Sequence, residues 1–371
     1  MSQGTPLPPR AAKNKPAPPP KAKPPRKPRR VGRYIFAFLA LVIISLASYA
    51  GYLYVKAKAN IDNIAAPGGS SVPHEQLAEA KPIGLLVLGL DNRKETGSMN
   101  TDVMMAAVFN PKSKTITVVS IPRDSDLNLE NYKTQKANAF YARFLSIARN
   151  TEHLEGDEAR KYASDEMKTM MSKFFDVPLD YTAVIDFQGF IDVVDALGGV
   201  TVDVDQDMRY WDKADGTDID LKKGVQKLHG EDALGFVRYR KSKNGETKAS
   251  SDFERNARQD QVLGAIVDKL KSFGSVTKIG NVMDAVGNNM KTDIPENQIN
   301  NMIRTYFGIS RQNVRFIALT GEWKSPYVYL DQDKLDEAKR ALQEEMQPDG
   351  RPIAPPAASG TAESSETPEN R

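Results

Sequence analysis

The chain of 371 residues contains no cysteine. Disulfides, thiolate metal centres and cysteine nucleophiles are therefore excluded, and redox compartment is left open. It has three histidines, His74, His153 and His229, far apart along the chain. That scatter argues against a histidine metal cluster and against a Ser-His-Asp triad. Acidic residues are missing from one stretch: residues 1–33 hold ten Lys or Arg and no Asp or Glu. Residues 34–371 carry 41 basic and 48 acidic side chains. The positive net charge thus belongs to the N-terminal segment, and the net acidic remainder argues against a nucleic-acid partner.

Charge is also missing from "YIFAFLALVIISLASYAGYLYV", residues 34–55. These 22 uncharged residues suffice to cross about 30 Å of hydrocarbon at about 1.5 Å per residue. Tyr34, Tyr49, Tyr52 and Tyr54 fall toward its ends, where aromatic rings favour the interface. A cleaved signal peptide, with Ser48-Tyr49-Ala50 as its site, fits less well, because the run continues past it. The expectation is a single-pass anchor in the cell membrane. The basic flank puts residues 1–33 in the cytoplasm as a Pro-rich tail and the rest outside. Residues 56–81 then read as a stalk, 82–346 as the folded domain, and 347–371 as a tail too polar to bury a core.

Within the domain three runs alternate like strands: "IGLLVLGL" (83–90), "DVMMAAVFN" (102–110) and "TITVVSIP" (115–122). As an antiparallel meander they bring Asp91, Asp102 and Arg123 to one sheet edge. "DYTAVIDF" (180–187) reads as a strand, "QGFIDVVDALGG" as a helix stopped by glycine, and "VTVDVD" (200–205) as a strand. That order suggests a crossover and a parallel pair. The fold class is α/β, with a mixed central sheet flanked by helices.

Basic residues gather in "VRYRKSKNGETKASSDFERNARQDQ", residues 237–261. As an extended strand, "FVRYR" puts Arg238 and Arg240 on one face about 7 Å apart, where they repel unless an anion lies between them. Ser251 and Glu254 fit a capping box, so a helix should start at Asp252. One stripe of that helix then holds Asp252, Arg255, Gln259, Leu263 and Ile266, with Arg258 on its flank. Its apolar half is core, and its charged half enters a polar site. Planar guanidinium forks suit phosphate, and several together suit a diphosphate. Asp91 and Asp102 then make sense as ligands of Mg²⁺, which takes one or two carboxylates with phosphate oxygens and water.

These segments resemble the LytR–CpsA–Psr family of membrane-anchored cell-wall enzymes. The likeness rests on "LLVLGLDNR", "NTDVMM", "VVSIPRD", "KANAFY", "VPLDYTAVIDFQGFIDVVDALGGVTVDV", "LHGEDALGFVRYR" and "DFERNARQ", and covers residues 82–270 best. It implies transfer of a glycopolymer phosphate, such as teichoic acid or capsule, from a polyprenyl diphosphate carrier to peptidoglycan, forming a phosphodiester with the help of Mg²⁺. By the same likeness Asp91 and Asp102 hold the metal. Arg123, Arg238, Arg240, Arg255 and Gln259 grip the diphosphate, Asp252 orients the arginines, and Arg93, Lys136 and Arg258 lie near. Two alternatives stay open: a hydrolase acting on the same lipid-linked polymer, and a non-catalytic lipid- or wall-binding scaffold. The sequence departs from the pattern at Asn100, often arginine in the family, and in the long spacer "KSKNGETKASS". An apolar wall for the lipid is sought in "MKTMMSKFF" (167–175), against the plainer reading of ordinary core.

Overall fold

The computed structural model describes residues 71–93, 98–213, 216–242, 245, 247–272, 282, 287 and 289–351. The run at 34–55 and the tail beyond Arg351 lie outside them. Among the described residues no helix is long and apolar enough to cross a membrane.

The strands are β1 (Ile83–Arg93), β2 (Ser98–Asn110), β3 (Thr115–Ser120), β4 (Ser125–Asp126), β5 (Tyr181–Asp186), β6 (Val200–Val204) and β7 (Met208–Asp212). They continue as β8 (Thr217–Leu221), β9 (Gly224–Leu228), β10 (Met290–Thr292), β11 (Val314–Ala318), β12 (Gly321–Lys324) and β13 (Tyr327–Leu330). The helices are α1 (Phe140–Asn150), α2 (Gly156–Phe175), α3 (Phe187–Ala196), α4 (Gly230–Arg238), α5 (Asp252–Ser272), α6 (Glu296–Tyr306) and α7 (Gln332–Met346). The meander forms as its alternation predicts: β1 pairs antiparallel with β2, and β2 with β3. The central sheet runs β10-β5-β1-β2-β3-β11, with β5 parallel to β1 and β11 parallel to β3. It is mixed, as expected.

Helices cover both faces of this sheet. Leu86, Leu88, Met104 and Ala106 pack one face against α1, α2 and α7. Leu85, Met105, Ala107 and Val118 pack the other against Ile299 of α6 and Leu263 of α5. Met167, Met170, Met171 and Phe174 of α2 follow the i, i+3, i+4, i+7 spacing of a buried stripe and lie wholly inside the first core. The apolar side chains of 167–175 thus belong to the core, the plainer of the two readings.

Two local expectations change. The β5-α3-β6 unit is not a crossover within one sheet. α3 starts on Asp186, which accepts the Gly189 N–H (2.9 Å), and ends at Gly198 and Gly199, both at positive φ. That left-handed ending, natural to glycine, delivers β6 to a separate two-stranded sheet with β9. The parallel neighbour of β5 is β1. The strand expected at "FVRYR" is instead the end of α4, with Tyr239 beyond it. Ala233, Phe236 and Val237 are buried at helical spacing, and Glu231 and Asp232 fill the first turn, where carboxylates suit the helix dipole. Five residues were too short a window to separate the two periods.

The domain also extends past its expected limits. Residues 71–81 do not stand off as a stalk: Val72, Ala78 and Glu79 donate backbone N–H groups to Asn297, Gln298 and Asn301 of α6. At the other end Arg351 bonds to Glu345 (3.0 Å) and to the carbonyl of Asn313 (3.1 Å). Glu345 is fully buried and also accepts from Thr115 and Thr117 on β3. Removing one member of a buried ion pair leaves the other uncompensated. Arg351→Ala should therefore cost about 3 kcal/mol in denaturant unfolding; a cost near that of a surface pair, under about 1 kcal/mol, would show that the threonines alone satisfy Glu345.

A second stability prediction comes from α5. Burial pushes the Asp260 carboxyl up to about 7, with Arg311 opposing. Its folded pKa exceeds the unfolded one, so the folded state binds the extra proton and stability falls as pH rises from about 4 to about 7. Asp260→Asn should raise the melting temperature at pH 8 and change it little at pH 4. Equal effects at both pH values would remove Asp260 as the cause.

Candidate functional site

The site is built on an irregularity in the sheet. Gly89 pairs with Val103 but Leu90 pairs with Thr101, so Asp102 is the extra residue of a β-bulge. Thr101 is buried on one face, where its hydroxyl donates to the carbonyl of Asn138 (3.3 Å). Val103 packs on the other face, in the cluster shared with α5. Asp102 interacts electrostatically with Arg255 of α5, so it joins Val103 on that side. Strict alternation would have put successive residues on opposite faces; the bulge re-aims the carboxylate.

Arg123 follows β3 and meets it. Its Nη1 donates to Asp102 Oδ1 (2.7 Å), and its Nε lies 4.0 Å from Asp124 Oδ1. Lys136 Nζ reaches the same Asp124 oxygen at 3.3 Å. Lys136 is fixed by a backbone bridge to Asp126 of β4. Arg255 is 8% exposed. Burial first, then the neighbouring Arg123, brings its guanidinium down to about 10, against the pull of Asp102 and Asp124. It remains cationic at neutral pH. The expected meeting of Asp102, Arg123 and Arg255 thus occurs, with Lys136 beside it. Asp124 was not singled out from sequence; its only signal there is its place next to Arg123 in "IPRD".

Arg238 arrives by another route. As the last residue of α4 it stacks its guanidinium on Phe187, 4.2 Å from the ring centroid. Phe187 follows Asp186, which pairs with Leu90, so Arg238 stands at the strand end that carries Asp91. Arg240 is exposed beyond α4, and its carbonyl accepts the Ser250 N–H (2.5 Å). That bond closes the base of the spacer. Gln259 is partly buried one turn after Arg255. Arg93 ends β1, paired with Ser98, and Asp252 opens α5; both side chains lie outside the described residues. The capping box holds, with Glu254 N–H to Ser251 Oγ (3.2 Å) and Ser251 N–H to Glu254 Oε2 (2.6 Å).

Arg258 has a different place from its neighbours. It is 3% exposed and grips Asp205 with two parallel bonds of 2.7 Å. Its Nη1 also donates to Ser250 Oγ (2.9 Å) and to the Tyr239 carbonyl (3.3 Å). One guanidinium therefore ties β6, the end of α4 and the spacer to α5. It is spent on tying Tyr239 and Ser250, on either side of the spacer, to α5, and no donor pair is left facing a substrate. Asp205 was missed; the alternation of "VTVDVD" marked it only as polar.

That role makes a prediction. Arg258→Lys keeps the charge but loses the fork, and Asp205→Asn leaves Arg258 in place. Both should speed protease cleavage within residues 241–250 by a similar factor, and the double variant should add little. Cleavage unchanged in Asp205→Asn would show that the pair does not hold the spacer.

Residues 51–344 match the model of the LytR_cpsA_psr family. TagT of Bacillus subtilis (strain 168), a polyisoprenyl-teichoic acid–peptidoglycan teichoic acid transferase, is 30% identical over 86% of this chain and 96% of its own. TagV of the same organism, named for the same activity, is 28% identical over 84% of this chain and 77% of its own. Among solved structures, Bacillus subtilis TagV superposes with a TM-score of 0.56 at 29% identity, covering 73% of this chain and 99% of that one. TagT bound to LI-WTA gives 0.54 at 29% identity, covering 76% and 98%. With four fifths of its length inside the family model and the same mixed α/β architecture, this chain belongs to the LytR_cpsA_psr family.

Proposed function

We propose that this protein transfers a glycopolymer phosphate from a polyprenyl diphosphate carrier to peptidoglycan. The observation that carries the reading is the meeting of Arg123, Asp102 and Arg255 at the bulged end of the sheet, in a chain related to teichoic acid transferases. Cations held this close by half-buried carboxylates form a preorganised seat for two phosphates. Arg238, Arg240, Lys136 and Gln259 would add donors to it, and by the family likeness so would Arg93, with Asp252 orienting the arginines.

The reaction needs little covalent chemistry from the protein. A muramic acid hydroxyl attacks the phosphorus bound to the sugar. A P–O bond to the bridging oxygen breaks, and polyprenyl phosphate leaves. The second ionisation of that phosphate lies near neutrality, so it can accept the proton the hydroxyl loses. The arginines stabilise the negative charge that gathers on the leaving group. Asp91 and Asp102 offer oxygen donors suited to Mg²⁺. Mg²⁺ usually takes one or two carboxylates and draws its other ligands from phosphate and water. When bound, Mg²⁺ supplies charge neutralisation across the diphosphate.

The lipid calls for an apolar surface beside the cations. The sheet face below α5 supports this, because Val87, Val103, Leu263 and Met302 there are only partly buried. The uncharged run at 34–55 and its basic flank support a membrane anchor, with the catalytic domain outside the cell where peptidoglycan lies.

The test is a transfer assay on the full chain with polyprenyl diphosphate-linked glycopolymer, Mg²⁺ and peptidoglycan oligomers. A phosphodiester-linked glycan is expected. Free sugar phosphate alone would mean a hydrolase, and tight binding without turnover a scaffold. Arg240→Ala should abolish transfer while the circular dichroism of the fold is kept, since Arg240 is exposed. Undiminished transfer by that variant would remove Arg240 from the site.

A further inference from the structure

Beside the arginine site an indole faces solvent. Trp323 on β12 is 53% exposed, and Tyr329 on β13 of the same hairpin is 45% exposed. Single exposed aromatics are common on protein surfaces. Trp323 is set apart by its connection to the site. Lys136 Nζ stands 5.3 Å from its ring centroid, and the same Nζ contacts Asp124, which neighbours Arg123. The backbone repeats the connection. Val328 donates to the Asp124 carbonyl (2.9 Å), and Trp323 is the register partner of Val328. Two strand spacings put the Trp323 backbone about 10 Å from that of Asp124, within reach of a neighbouring sugar on a chain whose reacting residue occupies the site.

We propose that Trp323 is a stacking platform for the acceptor glycan, seating a pyranose ring of the peptidoglycan strand next to the muramic acid that reacts. This rests on the transferase reading above. Sugar C–H bonds carry partial positive charge and meet the electron-rich face of an indole, while the indole N–H can donate to a ring hydroxyl. Glu322 and Lys324, paired at 2.7 Å, flank Trp323 with further polar groups. Acceptor rather than donor follows from the two sides of Arg123. On one lies α5 with Arg255, over the apolar sheet face suited to the carrier lipid. On the other lie Lys136 and the turn after it, whose Ala137 packs in the core of the opposite sheet face. In phosphoryl transfer the attacking and leaving oxygens are roughly in line. A lipid phosphate leaving toward α5 therefore requires the incoming hydroxyl on the hairpin side, where Trp323 stands.

Two measurements test this. The chain has two tryptophans, so the full-length Trp211→Phe protein reports on Trp323 alone. Titration with β-1,4-linked N-acetylglucosamine–N-acetylmuramic acid oligosaccharides should give a saturable change in its emission. No change would overturn the proposal, and this readout does not depend on transfer. If the native chain transfers nothing, the transferase reading fails while the titration still decides whether a glycan sits here. In the transfer assay, Trp323→Ala should raise the acceptor KM about tenfold, with the donor KM unchanged. Trp323→Phe should restore most of the loss. A rise in donor KM instead would assign the ring to the donor sugar. Loss of binding to phospholipid vesicles with an unchanged acceptor KM would make it a membrane contact. Either result overturns the acceptor assignment.

Discussion

Positive charges that must share a small volume repel one another, and the site of this protein is organised around that problem. Arg123 and Arg255 are close enough for each to feel the other, and Arg255 is nearly buried. What lets them coexist is a pair of carboxylates. Asp102 takes one Arg123 nitrogen, and Asp124 sits between Arg123 and Lys136. Without those carboxylates the cations would be driven into solvent, where their field would be weak. With them, the guanidinium groups are held in place, and the proposed phosphate binding would need no reorganisation.

The rest of the architecture serves to deliver those side chains. A bulge turns Asp102 toward α5. The first residues after β3 carry Arg123 and Asp124 across the sheet edge, and the hairpin of β12 and β13 is hung from Asp124 by a backbone bond. Arg258 does the equivalent work on the far side, locking the end of α4 to α5 through Asp205 and Ser250. Two arginines of one helix, three residues apart, thus have separate tasks. Arg255 stands with Arg123, Asp102 and Asp124, and Arg258 ties the end of α4 and the spacer to α5.

Local pattern made much of this legible. Alternation over 83–122 set the meander, and the meander alone put Asp91, Asp102 and Arg123 at one edge. The Ser251–Glu254 spacing marked the start of α5, and its stripe placed Arg255 at the boundary between core and site. The errors came where local signals were short or ambiguous. "FVRYR" has too few residues to separate a strand from a helix end. The strand-helix-strand order around α3 was compatible with a crossover, but two glycines at positive φ sent β6 into another sheet.

The residues that the sequence by itself determined are those whose neighbours are close in the chain: the strands, the helix caps, the buried stripes and the set of charged residues available for a site. Periodicity and capping are local physics, and they act on any stretch of this chain alone. Tertiary structure decided which charges meet. Asp205 and Arg258 are 53 residues apart, and Glu345 and Thr117 are 228 apart. Neither pairing leaves a trace in spacing, because each depends on where whole elements pack. The roles of Asp124, Arg258 and Trp323 belong to that second kind. Each is set by a contact across elements.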